Sequence, residues 1–429
     1  MVWLLIGYMF LYIDRPFEVW PALGAVHLER VYMIVTLFVY LAWLPSRARW
    51  ISNWQHWPIF AFAMAVLISW AASPWSDTCD ATVENWFKLM LFFLLLVTVV
   101  HSERDLRRIV LAFLVVMSLY MTHSLWEYLH GRHEWMMGTY RLTGVNAVSS
   151  DPNTFSATIV YALPLVLSFW RAERTPRMRA FLIVFVLLSV LCVLLTGSRG
   201  SFLGLVLLAL LLAATGRKRM RLLILLAVVA PLIWFALPAQ LQKRFESIIH
   251  PEAGTVGARM SAEGRIEGFL TGLELWQKYP LTGCGPGAWQ PATETKLESH
   301  NLYGQVLGEL GTLGTLAFAG FLLGCWSNIR RIRQLHQITG AGEGDWCFHL
   351  SQSIAMALIL MLLLGFFGHS LFRFNWMWYG GFLMIARYCM EQRWRTLQSL
   401  SYGWHGEAPF SEEISRRPDF AKPLPTKSC

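Results

Sequence analysis

RAERTPRMRAFLIVFVLLSVLCVLLTGSRGSFLGLVLLALLLAATGRKRMR, residues 171–221, decides the fold. Two apolar runs, 180–196 and 201–215, are joined by the turn Thr196-Gly197-Ser198-Arg199-Gly200, and a block of Arg and Lys stands at the far end of each. Long apolar stretches with charge only at their ends read as membrane helices. Loops on the cytoplasmic side of membrane proteins accumulate Lys and Arg. The segment therefore reads as a helical hairpin with both basic ends inside and the Arg199 turn outside. Further apolar segments near 1–13, 31–44, 57–72, 86–100, 109–129, 152–170, 222–237, 302–324, 350–368 and 374–389 bring the total to twelve.

Composition agrees with that reading. Of 429 residues, 55% are hydrophobic and 15% charged, against about 45–50% and about 25% in soluble domains, which excludes an ordinary soluble enzyme. The expected fold is all-α: a polytopic membrane bundle of about 12 transmembrane helices over residues 1–394, with a first segment, 1–13, that is short for a span. A large outer loop at 238–300 carries surface helices, and 395–429 is expected to be a disordered cytoplasmic tail. The start, MVWLLIGYMFLYIDR, has no basic n-region or small-residue cleavage site and reads as a retained membrane segment. Counted loop by loop, one alternating set holds 23 Lys and Arg and the other 12. The richer set is assigned to the cytoplasm, with both termini inside. This bookkeeping accounts for the formal charge of +9 without nucleic acid as a partner. The seven cysteines show no CxxC and no metal spacing, so neither disulfides nor a metal site is expected.

Within the outer loop, GRIEGFLTGLELWQKY (264–279) puts Ile266, Phe269, Leu270, Leu273 and Trp276 at helical spacing. It is expected to lie on the outer membrane surface and to end at Pro280 and TGCGPG (282–287). Arginines on the outer side run against the charge bias, so Arg199 and Arg265 stand out. Each either snorkels to headgroups or binds an anion. Three helices, beginning near 152, 201 and 302, present their positive ends on that side, with Ser198 beside Arg199. In Glu298-Ser299-His300-Asn301, Ser299 is expected to cap the next helix, with His300 in its first turn as a neutral base; the alternative is an interfacial histidine bonded to a carbonyl. Glu298 or Asn301 would orient the ring. Asp151-Pro152-Asn153 reads as an N-cap with Pro in the first turn, His369 and Arg373 as possible additions to the anion site, and Glu309, at membrane depth, as a residue with a structural partner. Gly304, Gly308, Gly311 and Gly314 offer small-residue packing surfaces. Aromatic residues at the outer rim, Trp126, Tyr128, Trp135, Tyr140, Trp276, Tyr279 and Trp289, serve either as an interfacial belt or as stacking surfaces for sugars.

Together, TGSRG after an apolar helix, DPN opening another, and GR, PLTGCGPG, SHNLY and GELGTLG in order across the outer loop resemble the O-antigen ligase family. The resemblance covers roughly residues 140–330 by motif. It implies a GT-C-like glycosyltransferase that moves a glycan from an undecaprenyl-pyrophosphate carrier to a lipid A-core sugar at the periplasmic face of the bacterial inner membrane, with inversion and without cofactor or metal. By matching position, Arg199 and Arg265 would hold the pyrophosphate and His300 would activate the acceptor hydroxyl. The family also contains O-antigen polymerases and protein O-oligosaccharyltransferases, which use the same donor. A twelve-helix lipid or sugar transporter is the reading from another class, and the lack of charge clusters at mid-span speaks against it.

Overall fold

The computed structural model describes residues 1–429 except 48, 137, 147–149, 216–218, 251–255, 343 and 406–429. The first half begins with α1 (Val2–Ile13), the short α2 (Pro16–Val19) and α3 (Pro21–Ala25), then α4 (Leu28–Arg47), α5 (His56–Ala72), α6 (Ser76–Val99) and α7 (Glu103–Leu129). A hairpin of β1 (Glu134–Met136) and β2 (Thr139–Arg141) follows. The next helices are α8 (Pro152–Ala162), α9 (Val166–Ala172), α10 (Pro176–Leu195), α11 (Arg199–Thr215), α12 (Arg219–Ala236) and α13 (Ala239–Glu246). The chain closes with α14 (Val256–Lys278), α15 (Trp289–Thr293), α16 (Leu302–Thr339), α17 (Trp346–Gly365) and α18 (Phe374–His405).

All twelve apolar segments are helical, and six stretches are long and apolar enough to cross a membrane: α6, α7, the run Pro152–Ala172, α10, α16 and α17. The sequence count of about twelve spans is thus met by six among the described residues. Length explains part of the difference, since α1 has 12 residues, about 18 Å of helix, against a hydrocarbon core of about 30 Å, whereas α18 with 32 residues is long enough but not apolar enough. The expected tail falls mostly outside the described residues, as do Cys429 and residues 216–218 of one basic block; α18 continues to His405.

The long α16 lies at the centre, packed on α5, α14, α17 and α18. It is broken at Gly311, whose φ of 60° and ψ of −157° leave the helix. A break inside an apolar bundle orphans carbonyls on one side and amides on the other. The turn after α14 satisfies both. Cys284 N and Gly285 N donate to the Gly308 and Glu309 carbonyls, while the Pro280 and Leu281 carbonyls accept from Thr312 N and Leu313 N, at 2.8 to 3.1 Å. Glu309 completes the lock by accepting from Gly287 N at 2.9 Å and from the Gln305 amide, which is the structural partner expected for it.

Helix α14 departs from the surface helix expected at 264–279. It begins at Val256 and lays Gly268, Gly272 and Leu275 against α16, with Ile266 and Leu270 exposed. The contact is backbone on backbone: a Cβ at Gly268 would collide with the Ser299 carbonyl, and one at Gly272 with Gly304. The glycines of α16 were legible as a packing surface. Their partners at 268 and 272 turn the helix to a different face from the one its apolar spacing suggested.

Candidate active site

One end of the bundle gathers the turn at Gly197, the β hairpin, the N-termini of α8, α11 and α16, and the segment 366–373. A cavity of about 550 Å³ opens there, lined by Asp151, Asn153, Ser198, Arg265, His300, His369 and Arg373 among others. Residues more than 200 positions apart in sequence meet in it.

The α14–α16 crossing brings Arg265 and His300 together. Asn301, not Ser299, is the N-cap of α16; its side chain accepts from Tyr303 N at 2.9 Å and Gly304 N at 3.1 Å and donates to the Arg265 carbonyl at 3.3 Å. Ser299 is drawn off instead to donate to the Asn301 carbonyl at 2.7 Å. His300 therefore stands before the helix, not in its first turn, with a left-handed φ of 47°, a conformation that costs an ordinary residue about 1 kcal/mol or more. Burial and the Arg265 charge lower its pKa, against the pull of Asp151. No described side chain hydrogen-bonds its ring; Glu298 accepts from Gln290 at 3.1 Å instead of orienting it. The nearest ring is His369, at 5.6 Å between centroids. Burial, with Arg373 and His300 beside it, pushes the His369 pKa down to about 3, so this imidazole is neutral.

Arg265 rests over the Phe367 ring at 5.1 Å, and no described acceptor takes a hydrogen bond from its guanidinium. Arg373 donates to Thr154 Oγ1 at 2.8 Å. Asp151 caps α8 by accepting from Thr154 N at 2.8 Å, as the sequence suggested, and Asn153 donates to it at 3.2 Å. Ser198 accepts from Ser201 N at 3.4 Å at the start of α11. Arg199, in contrast, does not line the cavity: it reaches Ser247 Oγ at 3.3 Å, behind the turn.

Two arginines escaped the sequence reading. Arg141, fully buried on β2, donates from Nε to the Thr196 carbonyl at 2.6 Å and from Nη2 to Asn153 at 3.0 Å. Arg244, on α13, donates to the Gly197 carbonyl at 2.5 Å. Both stand on loops assigned to the outer side, so the charge bias that picked out Arg199 and Arg265 points to them equally. Burial lowers the pKa of Arg141 to about 10, of Arg265 to about 10 and of Arg244 to about 9, and neighbouring arginines contribute in each case. All three remain charged at neutral pH. None of Arg141, Arg244, Arg265 and Arg373 forms an ion pair with a described carboxylate. Asp151 is the one carboxylate in the cavity wall, and it is engaged by Thr154 N and Asn153. Buried and half-buried cations that outnumber their counter-charges are costly unless an anion joins them, and forked guanidiniums suit phosphate oxygens.

Fold and site together define a multi-pass helical membrane protein with an anion-receptive cavity at one end. Residues 183–319, about a third of the chain, match the family profile described as O-antigen ligase, Wzy_C, and carry Arg199, Arg244, Arg265 and His300. That stretch of the chain is thus similar to the domain of O-antigen ligases. Arg141, Asp151, His369 and Arg373 enter the site from outside the matched stretch. No curated protein matches the sequence.

Proposed function

We propose that this protein transfers a glycan from an undecaprenyl-pyrophosphate carrier to a sugar hydroxyl of lipid A-core, at the periplasmic face of the bacterial inner membrane, with both chain termini cytoplasmic. The observation that carries this reading is the group of buried arginines without carboxylate partners around Arg265, facing a neutral histidine across one cavity.

The chemistry is a single displacement. His300 accepts the proton of the attacking hydroxyl, whose oxygen bonds to the anomeric carbon as the bond from that carbon to the phosphate oxygen breaks. The departing pyrophosphate gains negative charge, which Arg265 and Arg373 stabilise from the cavity wall, with Arg141, Arg199 and Arg244 supporting from behind it. Attack opposite the leaving group inverts the anomeric configuration. His369, neutral, offers a hydrogen bond without adding charge. No step calls on a metal or a nucleotide sugar.

The test is transfer in proteoliposomes from polyprenyl-pyrophosphate glycan to purified lipid A-core, with a chelator present, comparing wild type with His300→Ala. Glycan on lipid A-core with wild type, lost in the variant, supports the proposal. Lengthening of the carrier-linked glycan instead would make the enzyme a polymerase. Transfer that needs added metal, or survives His300→Ala, would overturn the mechanism.

A further inference from the structure

The reaction cavity accounts for a pyrophosphate and a reacting hydroxyl, but not for the rest of a glycan. Next to it, sharing Asp151, lies a second and more open cavity of about 770 Å³ at the foot of the β hairpin, with Arg132, Glu134, Thr143 and Ser150 in its wall. His133, in the wall of this polar hollow, belongs to a run of four rings. Tyr128 meets His133 at 5.8 Å, His133 meets Tyr140 at 4.1 Å, and Tyr140 meets its cross-strand partner Trp135 at 4.6 Å between centroids. Trp135 is 61% exposed and Tyr140 50%.

An interfacial belt spreads single aromatics around a bundle at headgroup level. Here the rings are clustered, two of them on the hairpin, which holds the only strands among the described residues, and the run adjoins the charged and hydroxyl groups of the hollow through His133. Flat amphipathic rings beside hydrogen-bonding groups are the surface a pyranose recognises, with its C–H face on the ring and its hydroxyls at the polar wall. The strand itself connects this surface to the anion site. Successive residues of a strand point to opposite faces: Tyr140 faces outward, and Arg141 is buried among the arginines.

We infer that the β1–β2 hairpin is a saccharide-binding platform that holds the glycan of the donor, with Trp135 and Tyr140 as its stacking surfaces. The inference rests on the proposed function. It favours the donor over the acceptor because the open hollow shares Asp151 with the reaction cavity and Arg141 of β2 holds Asn153 in that cavity's wall, so a chain held at its reducing end in the cavity continues directly onto the hairpin. A glycan anchored at its reducing end by the pyrophosphate therefore runs over Tyr140 and Trp135.

The test uses the full chain in detergent. The glycan released by mild acid from the organism's own polyprenyl-linked pool is titrated calorimetrically against wild type, Trp135→Ala, Tyr140→Ala and Tyr140→Phe. This binding readout stands even where the transfer assay fails. Saturable binding by wild type, weakened about fivefold in each alanine variant and retained in Tyr140→Phe, is expected, since one aromatic contact is worth about 1 kcal/mol and about 1.4 kcal/mol is tenfold. In the transfer assay, Trp135→Ala should lower kcat/KM for a donor of several sugars about fivefold more than for a single-sugar donor. Absence of saturable binding by wild type, equal binding by all variants, loss in Tyr140→Phe as well, or a change confined to the acceptor KM would each overturn the inference.

Discussion

The two ends of the bundle treat arginine in opposite ways. At the end formed by the α6–α7 and α16–α17 junctions and the last turns of α18, arginines meet carboxylates. Arg393 pairs with Glu103 at 2.6 Å and Asp345 at 3.5 Å, Arg387 with Glu391 at 2.8 Å, and Arg107 with Glu173 at 3.0 Å. The amides there are paired too, with Asn53 donating to Asn328 at 3.0 Å and Asn328 donating to Gln55. Around the cavity at the other end Arg141, Arg244, Arg265 and Arg373 have backbone carbonyls, hydroxyls, an amide or a ring face, and no described carboxylate within ion-pair distance, while Arg15 and Arg132 farther out pair with Glu18 and Glu127. A paired charge is finished as a structural element; one left without a counter-charge in a cavity is prepared for something that arrives later. The difference supports the proposed division of structure to the first end and chemistry to the cavity.

The largest effect should come from the base. His300→Ala should lower kcat by about 10²–10⁴-fold, the usual worth of a general base, with the donor KM little changed. A loss seen only in KM would move His300 from proton transfer to binding. Because its pKa lies below the ordinary 6.5, the neutral ring persists to lower pH than in a free histidine. The acid limb of kcat/KM against pH should therefore bend below 6.5; a bend at or above that value would assign the limb to another group. Next in size is Arg265→Ala, which removes charge-assisted bonds worth about 1.5–3 kcal/mol each and should cost about 10–100-fold in kcat/KM for the donor. Arg265→Lys should recover only part, for want of the fork.

Smaller still is the effect of the scaffold. Gly268→Ala drives a methyl into the Ser299 carbonyl, a misfit worth about 1–3 kcal/mol, and should lower thermal stability and transfer together, since Arg265 and His300 both ride on that contact. Stability lost with transfer intact would separate the crossing from the chemistry. Smallest should be Arg393→Ala at the paired end, about 1 kcal/mol or less of stability for a partly exposed ion pair, with no change in donor affinity.

Much of this was legible in the sequence for definite reasons. Helices at membrane depth announce themselves by apolar length, so all twelve segments are found. Crossing them is a matter of thickness, which α1 and the 17-residue α5 do not reach. The charge bias pointed to Arg199 and Arg265, and a chain-local rule gave the cap at Asp151. What failed were features fixed by tertiary contact. Ser299 and Asn301 are both competent caps, and the Ser299 carbonyl pressed against Gly268 leaves Asn301 to do it. The face of α14 was set by Gly268 and Gly272 meeting Gly304, a signal visible only once both helices are known to cross. Where the arginine side chains end was also not legible: Arg199 reaches Ser247, and Arg141, from a hairpin 58 positions earlier, is held by Thr196 and Asn153, so both stand outside the cavity lining.

The contrast between the ends is tested most directly by binding without turnover. Polyprenyl pyrophosphate carrying no glycan, titrated into the full chain in detergent, should bind saturably to wild type and equally to Arg393→Ala, and at least tenfold more weakly to Arg141→Ala with Arg265→Ala combined, given about 1.4 kcal/mol per tenfold. Equal affinity in all three proteins, or no saturable binding by wild type, would contradict an anion site built from the arginines that lack carboxylate partners.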